Sequence, residues 1–309
     1  MVVGIDIGGT KTHIALRDAQ GNLRERVIPS DSWRRGGLFG DSANANRLVA
    51  EIHMLTGGSD SGHVVVGAHG CDTPEQCERF ADQLRSVYGQ NVTVVNDAQL
   101  LVPAAGQSAG VAVIVGTGSI VVGASPTDTM IVAGGHGWLF GDPGSAPGVV
   151  REAVKKLLTR RDEGRKVDIL GRRLIAHFGV SDITGLIYAL SVVPKIDSWA
   201  AAAPVVFEAA ADGSETAIAV IEEAAAGLAA NVINVHQHGA IGNAIVCAGG
   251  VITNQPRLYS ALRDQIADIW PDAAIELLSA APVFGALALA DAAESEEQSC
   301  ASKQPNPLT

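Results

Sequence analysis

Two stretches far apart in the chain share one build: "VVGIDIGGTKTHIAL" near the start and "VAVIVGTGSIVVGAS" from Val111. Each reads as an apolar strand, a glycine turn carrying hydroxyl side chains, and a second β-branched strand. Two such runs around a tight turn pair as a hairpin. The separation between Gly8 and Gly116 is enough to hold a whole domain. The chain is therefore expected to contain two α/β halves, each opening with a glycine-rich hairpin able to face the same ligand.

The surrounding segments give the order of elements. "LRERVI", after a "DAQGN" turn, adds a third strand to the first hairpin and makes a meander. A helical pattern in "NANRLVAEIHMLT" leads to a buried strand "HVVVGA", a helix through "EQCERFADQLRSVYG", a strand "VTVVND" and a helical stretch "AQLLVPAAGQ". Strand and helix alternate here, as they do where an α/β sheet continues in parallel. Residues 147–240 read as mainly helical and "NAIVCAGGVITN" as a buried strand meeting a glycine turn. "QPRLYSALRDQIADIW" follows as a helix with proline just inside, then "IELL" as a last strand and "APVFGALALADAA" as a last helix. The expected lobes are residues 1–108 with a returning helix 283–292, and residues 109–282; the polar residues 293–309 read as a disordered tail.

A chain of 309 residues, 47% hydrophobic and 18% charged, can bury a sizeable core. Its formal charge of -11 works against nucleic acid or an anionic membrane as partner, since both need clustered Lys and Arg. A small-molecule substrate is expected instead. Cys71, Cys77, Cys247 and Cys300 have no Cys-x-x-Cys spacing, and a strand begins at Val2 where a leader would need a basic, apolar run. The apolar runs are interrupted well short of the roughly 20 residues of a membrane span. These features predict a cytoplasmic protein with reduced thiols and no span. His69, Cys71 and Cys77 share a loop but match no standard zinc spacing, so no structural zinc is expected.

The first glycine turn is not a Walker loop, because Thr10 separates Gly9 from Lys11 and a strand follows where a helix should open. A hairpin whose Gly8 and Gly9 allow positive φ can still surround a phosphate with backbone N–H groups and the Thr10 and Thr12 hydroxyls. Lys11 would then serve as a point charge and Asp6 could hold a Mg²⁺-bound water; an ordinary hairpin fits the same residues. The second copy, Gly116-Thr117-Gly118-Ser119, favours the phosphate reading, since two such hairpins are hard to explain as turns alone. "GTGSIVVG" is not Gly-x-Gly-x-x-Gly, which disfavours a dinucleotide fold. Asp97 ends a strand at the edge where open α/β sheets place ligands, with Asn96 beside it as a hydrogen-bond donor. It can be the base for a hydroxyl attacking a γ-phosphoryl group, or it can cap the following helix. In "GGHGWLFGDPGSAPG", Asp142 can hold two hydroxyls of a sugar while Ser145 caps a helix; a purely structural loop fits as well.

In this order the motifs resemble those of the superfamily of sugar kinases, heat-shock chaperones and actin. Within it they are similar to the N-acetylglucosamine kinase-like branch of the BadF/BadG/BcrA/BcrD ATPases. The resemblance covers nearly all of residues 2–291: "GIDIGGTKTHIAL" and "VIVGTGS" look like the two phosphate motifs, and "VNDA" like the catalytic-aspartate motif. "GWLFGDPGS" looks like the sugar-side loop, "IVCAGGVITN" the adenosine motif and "PVFGALALA" the closing helix. The resemblance implies an α/β fold of two ribonuclease H-like (actin-like ATPase) domains with an interdomain cleft, ATP and Mg²⁺ as cofactors, and a homodimer.

It also implies that Asp97 is the base for the primary hydroxyl of an amino sugar, most simply N-acetylglucosamine, giving a 6-phosphate. Asp6, Gly9, Thr10, Lys11, Thr117, Gly118 and Ser119 would surround the MgATP phosphates, and Gly249 and Gly250 would pass the adenine ring. Asp142 would bind sugar hydroxyls, and Asn44 would present its amide to the sugar. Two departures fall on the sugar side: Pro143 stands where this branch usually has Glu, and His136, after Gly135, stands where a sugar-packing Trp is expected. Glucosamine or another hexose is the alternative substrate. The repressor/open-reading-frame/kinase sugar kinases share "GIDIGGTKT" but carry Glu-x-Gly-His and a Cys-rich zinc motif that this chain lacks. An activator ATPase of radical dehydratases, working on a protein partner, would need cluster-binding cysteines. Cys71 and Cys77 lie in an early loop and Cys247 in a strand.

Overall fold

The computed structural model describes residues 1–58, 62–89, 91–127, 129–191 and 196–302. The chain begins β1 (Val2–Ile7), β2 (Lys11–Arg17), β3 (Leu23–Pro29), α1 (Asn44–Thr56), β4 (Val64–Ala68), α2 (Pro74–Tyr88), β5 (Val92–Asn96) and α3 (Leu101–Ala104). It continues β6 (Gly110–Val115), β7 (Ser119–Ala124), β8 (Met130–Gly134), α4 (Ala146–Asp162), α5 (Ile169–Phe178), α6 (Ile183–Ser191), α7 (Ile196–Ala201), α8 (Ala203–Ala211) and α9 (Glu215–Gln237). It ends β9 (Ala244–Ala248), α10 (Gly250–Asn254), α11 (Pro256–Ile269), β10 (Ala274–Leu277) and α12 (Val283–Ser302). Two compact units result: Met1–Ser108 joined by the chain from Leu278, and Ala109–Leu277.

In the first unit a five-stranded sheet has the order β3-β2-β1-β4-β5. Tight turns make β1, β2 and β3 an antiparallel meander, while crossovers through α1 and α2 make β1, β4 and β5 parallel. β1 is buried on both faces. Val3, Ile5 and Ile7 pack with Leu48, Ile52, Phe80 and Leu84 of α1 and α2, whereas Val2 packs with Val283, Ala286, Leu287 and Ala290 of α12. Alternation along a strand explains the split, and each buried Val, Leu or Ile contributes about 1.5–3 kcal/mol. Gly4 faces α12, where a Cβ would come within 2.6 Å of the Leu287 nitrogen. Glycine is what lets that helix lie on the sheet.

α12 continues through Ser302, which corrects the expectation of a disordered tail from residue 293. The segment is polar but rich in Glu, Gln and Ala, has no Gly or Pro before Pro305, and so continues as helix. An ion pair from Arg17 to Asp291 and another from the Met1 amino group to Glu294, at 3.7 Å, anchor it. Residues 303–309 of that expected tail lie outside the described residues. The stretch "AQLLVPAAGQ" is also less helical than its composition: a 3₁₀ turn over Asp97–Leu100 leads into the short α3, and Gly106, with φ +77°, ends it.

The second unit repeats the topology. Its five strands are ordered β10-β9-β6-β7-β8, with β6, β7 and β8 an antiparallel meander and β6, β9 and β10 parallel. Val113, Val115, Leu157, Phe207, Ile221, Leu228, Ile245 and Leu258 lie in one core cluster of sheet and helices. The Ala-rich run from Trp199 is three helices, α7, α8 and α9, with α9 capped by Ser214 Oγ, which accepts the Ala217 N–H at 3.2 Å. α9 is 23 residues long and holds an 18-residue window of mean hydropathy 1.5, enough by length and composition alone to cross a membrane. Here it packs against α4, α8, α11 and the sheet, as the core helix of a globular unit does.

Candidate active site

In the first unit Ile7 is in register with Ala68, and Ala68 with Asn96. The next residues along each strand, Gly8, His69 and Asp97, therefore leave the sheet side by side at its carboxyl edge, where open α/β sheets bind ligands. Asp6 stands just inside that edge. Its carboxyl is raised to about 6, by burial first and by the negative charge of Asp97 second, against the opposing pull of His13 and Lys11. Burial raises Asp97 as well, against the pull of His69, whose Nδ1 is 3.6 Å from Asp97 Oδ2. Two carboxylates that feel one another favour either a proton or a cation.

Asn96, not Asp97, caps the 3₁₀ turn. Asn96 Oδ1 accepts the Ala98 N–H at 3.0 Å, and its own N–H donates to Gln99 Oε1 at 3.1 Å. Asn96 Nδ2 donates to the Cys71 carbonyl at 3.0 Å, tying the end of β5 to the loop after β4. Both ends of the Asn96 amide are thus engaged within the unit. Asp97 is thereby relieved of the main capping role. Its Oδ1 also accepts the Ala98 N–H, at 3.1 Å, and its Oδ2 is left toward His69.

The first glycine hairpin is closed by Gly8 N–H donating to the Lys11 carbonyl at 2.9 Å, with Gly9, Thr10 and Lys11 exposed at the tip. Behind it, Ser30 donates through N–H to the Thr10 carbonyl and through Oγ to the Gly8 carbonyl, and Arg34 Nη2 donates to the Gly9 carbonyl at 2.8 Å. Thr12 is fully buried, bonded to Ser30 Oγ at 3.0 Å and to Trp33 Nε1 at 2.9 Å. Strand alternation points Lys11 outward and Thr12 inward, so Thr12 braces the hairpin and is removed from the phosphate-facing set. Neither Gly8 nor Gly9 has a positive φ, which corrects the expected reason for glycine there.

Asn44 stands at the start of α1. Its Oδ1 accepts from Arg35 N–H at 3.0 Å and Arg47 Nη1 at 2.9 Å, and its Nδ2 donates to the carbonyls of Arg35, Gly37 and Leu38. A buried amide with this many partners shapes the 35–38 loop.

In the second unit the Gly116 N–H donates to the Gly118 carbonyl at 2.8 Å, leaving Thr117 and Gly118 exposed. Ser119 turns inward, as Thr12 does, and its Oγ donates to the Pro143 carbonyl at 2.8 Å. It too leaves the phosphate-facing set. Gly249 follows β9 with φ +104°, a Cβ on it would reach the Val115 backbone, and Gly250 opens α10 beside Gly116. Asp142 is 4% exposed and has φ +56°, alone in this respect among the described non-glycine residues. Its Oδ1 accepts the Gly137 N–H at 3.2 Å, and its Oδ2 lies 3.2 Å from where a Gly118 Cβ would be. Its carboxylate thus stands against the second hairpin. Gly135 donates its N–H to the Ser119 carbonyl at 3.0 Å, His136 is exposed, and Ser145 Oγ caps α4 through the Gly148 N–H.

Sequence reasoning passed over His69, Ser30, Trp33 and Arg34 as parts of this site. Only His69 carried a usable signal, since it directly follows a strand that reads as buried. The hard oxygens at the first unit's edge, from Asp6, Asp97 and the Thr10 hydroxyl, suit a hydrated Mg²⁺ that keeps most of its waters. Among the described residues no group of three or more His, Cys, Asp or Glu forms a dedicated metal cage.

Two units with one topology, each opening on a glycine hairpin, define an actin-like ATPase of the ribonuclease H-like class. The chain belongs to the BadF/BadG/BcrA/BcrD ATPase family, whose model matches residues 3–290. The N-acetylmuramic acid/N-acetylglucosamine kinase of Clostridium acetobutylicum is 27% identical to it over 303 residues, covering 94% of this chain and 97% of the relative. The N-acetyl-D-glucosamine kinase of Dictyostelium discoideum is 26% identical over 309 residues, covering 93% and 97%. A solved structure from Porphyromonas gingivalis, described as a candidate N-acetylglucosamine kinase, has the same fold with a TM-score of 0.62 at 18% identity, covering 96% of this chain and 100% of that one.

Proposed function

We propose that the protein transfers the γ-phosphoryl group of ATP to the 6-hydroxyl of an amino sugar, N-acetylglucosamine first, with Asp97 as general base. The observation that supports this best is the relief of Asp97 from capping by Asn96, at the carboxyl edge of a parallel sheet. A carboxylate whose burial raises its proton affinity is a better base than an exposed one. Its Oδ2 takes the hydroxyl proton as the sugar oxygen forms its bond to the γ-phosphorus and the bond to the ADP oxygen breaks; the proton ends on Asp97.

The exposed tips Gly9-Thr10-Lys11 and Thr117-Gly118 offer backbone N–H groups, hydroxyls and one ammonium to the phosphates, and Gly250 lets the nucleotide approach the backbone. Asp6 would hold Mg²⁺ through water, and the ion would there supply neutralisation of phosphate charge. Asp142, with Gly135 and His136, is read as part of the sugar side. N-acetylglucosamine is placed first because both curated relatives are named for it. A homodimer in the cytoplasm belongs to the same reading.

The test is a coupled ADP-release assay over N-acetylglucosamine, glucosamine, N-acetylmannosamine, N-acetylmuramic acid and glucose, with Asp97→Asn alongside. The expected result is sugar-dependent ADP release, a 6-phosphate product, and a kcat lower by about 10²–10⁴ in the variant. ADP release indifferent to every sugar, or unimpaired transfer by Asp97→Asn, overturns the reading.

A further inference from the structure

We propose that His69 is the positioning residue of Asp97, holding its Oδ2 through Nδ1; the inference rests on the kinase reading above. Three observations place it. First, strand register brings Gly8, His69 and Asp97 out side by side from β1, β4 and β5. Second, the His69 N–H donates to the Ile7 carbonyl at 2.9 Å, so its backbone is locked to the strand that carries Asp6. Third, its Nδ1 stands 3.6 Å from Asp97 Oδ2 while Asp97 Oδ1 is occupied by the Ala98 N–H.

A carboxylate group rotates about one bond. With Oδ1 tethered, the group that meets Oδ2 decides whether the second oxygen stays aimed. His69 fills that place. At 3.6 Å the pair is at ion-pair distance, and a small turn of the ring makes Nδ1–H a donor. The other charges acting at Asp97 work the opposite way: Asp72, on the same loop as His69, repels it, and Asp97 in turn repels Asp6. The His69 side chain is 62% exposed. Packing does not hold the ring, so its removal costs the fold little, which separates a positioning role from a structural one.

The experiment compares His69→Ala, His69→Asn and His69→Gln in the full chain, on the sugar that the wild type phosphorylates. Asn puts an N–H donor where Nδ1 stands; Gln puts it farther out, near the place of Nε2. The expected result is a kcat about 10- to 100-fold lower in His69→Ala, with KM for ATP and for sugar within about twofold of wild type. His69→Asn recovers most of the loss and His69→Gln does not, while thermal midpoints stay level. In an Asp97→Asn background His69→Ala has no further effect. Unchanged kcat in His69→Ala, or equal loss in the Ala and Asn variants, overturns the inference while leaving the kinase reading intact. A wild type that phosphorylates no sugar overturns both.

Discussion

Trp33 Nε1 donates to Thr12 Oγ1 at 2.9 Å, and Ser30 Oγ meets the same hydroxyl at 3.0 Å. One threonine of "GGTKT" therefore works inside the first unit and the other, Thr10, at its surface. Thr12→Val strands the indole N–H in the core and is expected to lower unfolding stability in urea by about 1–3 kcal/mol. It should leave KM for ATP within about twofold. Thr10→Ala is expected to do the reverse: stability within about 0.5 kcal/mol and a KM for ATP raised severalfold. The opposite pattern would return Thr12 to the phosphates.

The Asp6 carboxyl titrates at about 6 in the folded chain against an ordinary 3.8, so the folded state holds this proton more tightly than the unfolded one. The resulting stabilisation is full below pH 4 and is lost as the pH rises through 6, on the order of 2–3 kcal/mol in all. Without metal or nucleotide, Asp6→Asn should melt above the wild type at pH 7.5 and level with it near pH 4, while its kinase activity is lost. Calorimetry across that range checks the sign; parallel curves for the two proteins would show that the Asp6 carboxylate is not under this strain.

Gly9 and Gly250 have no positive φ, and a Cβ on either meets nothing within 4 Å. Neither the backbone nor the packing asks for glycine there, so a ligand approaching the backbone is the remaining reason. Gly9→Ala and Gly250→Ala are expected to keep or gain about 0.4–1 kcal/mol of stability while weakening ATP binding. Gly249→Ala should instead destabilise by about 1–3 kcal/mol, through its left-handed φ and the nearby Val115 backbone. Thermal unfolding with ATP titration separates the cases. Full ATP affinity in both Gly9→Ala and Gly250→Ala would remove these turns from the nucleotide site.

Local signals were enough for the two hairpins, the alternation of strand and helix after the first, and the position of Asp97 at the end of a strand. Each depends on neighbours within a few residues: period-two alternation, a glycine turn, a strand running into a polar end. The polar stretch after residue 292 misled because low hydrophobicity was read as disorder, whereas its Glu, Gln and Ala suit a helix and contacts made by Asp291 and Glu294 with Arg17 and Met1 anchor it.

The site's residue types, its two glycine turns and its carboxylates were legible before any folding was considered, because spacing along the chain carries them. Which of those groups face outward was not. Thr12, Asn44, Asn96 and Ser119 have the right chemistry for a ligand, yet each spends it on a partner supplied by another segment: Trp33, the Arg35 loop, Cys71 and Pro143. His69 looked idle until β4 was set between β1 and β5. Hydrogen-bond partners and strand register are long-range relations, and the packing of the folded chain decides them.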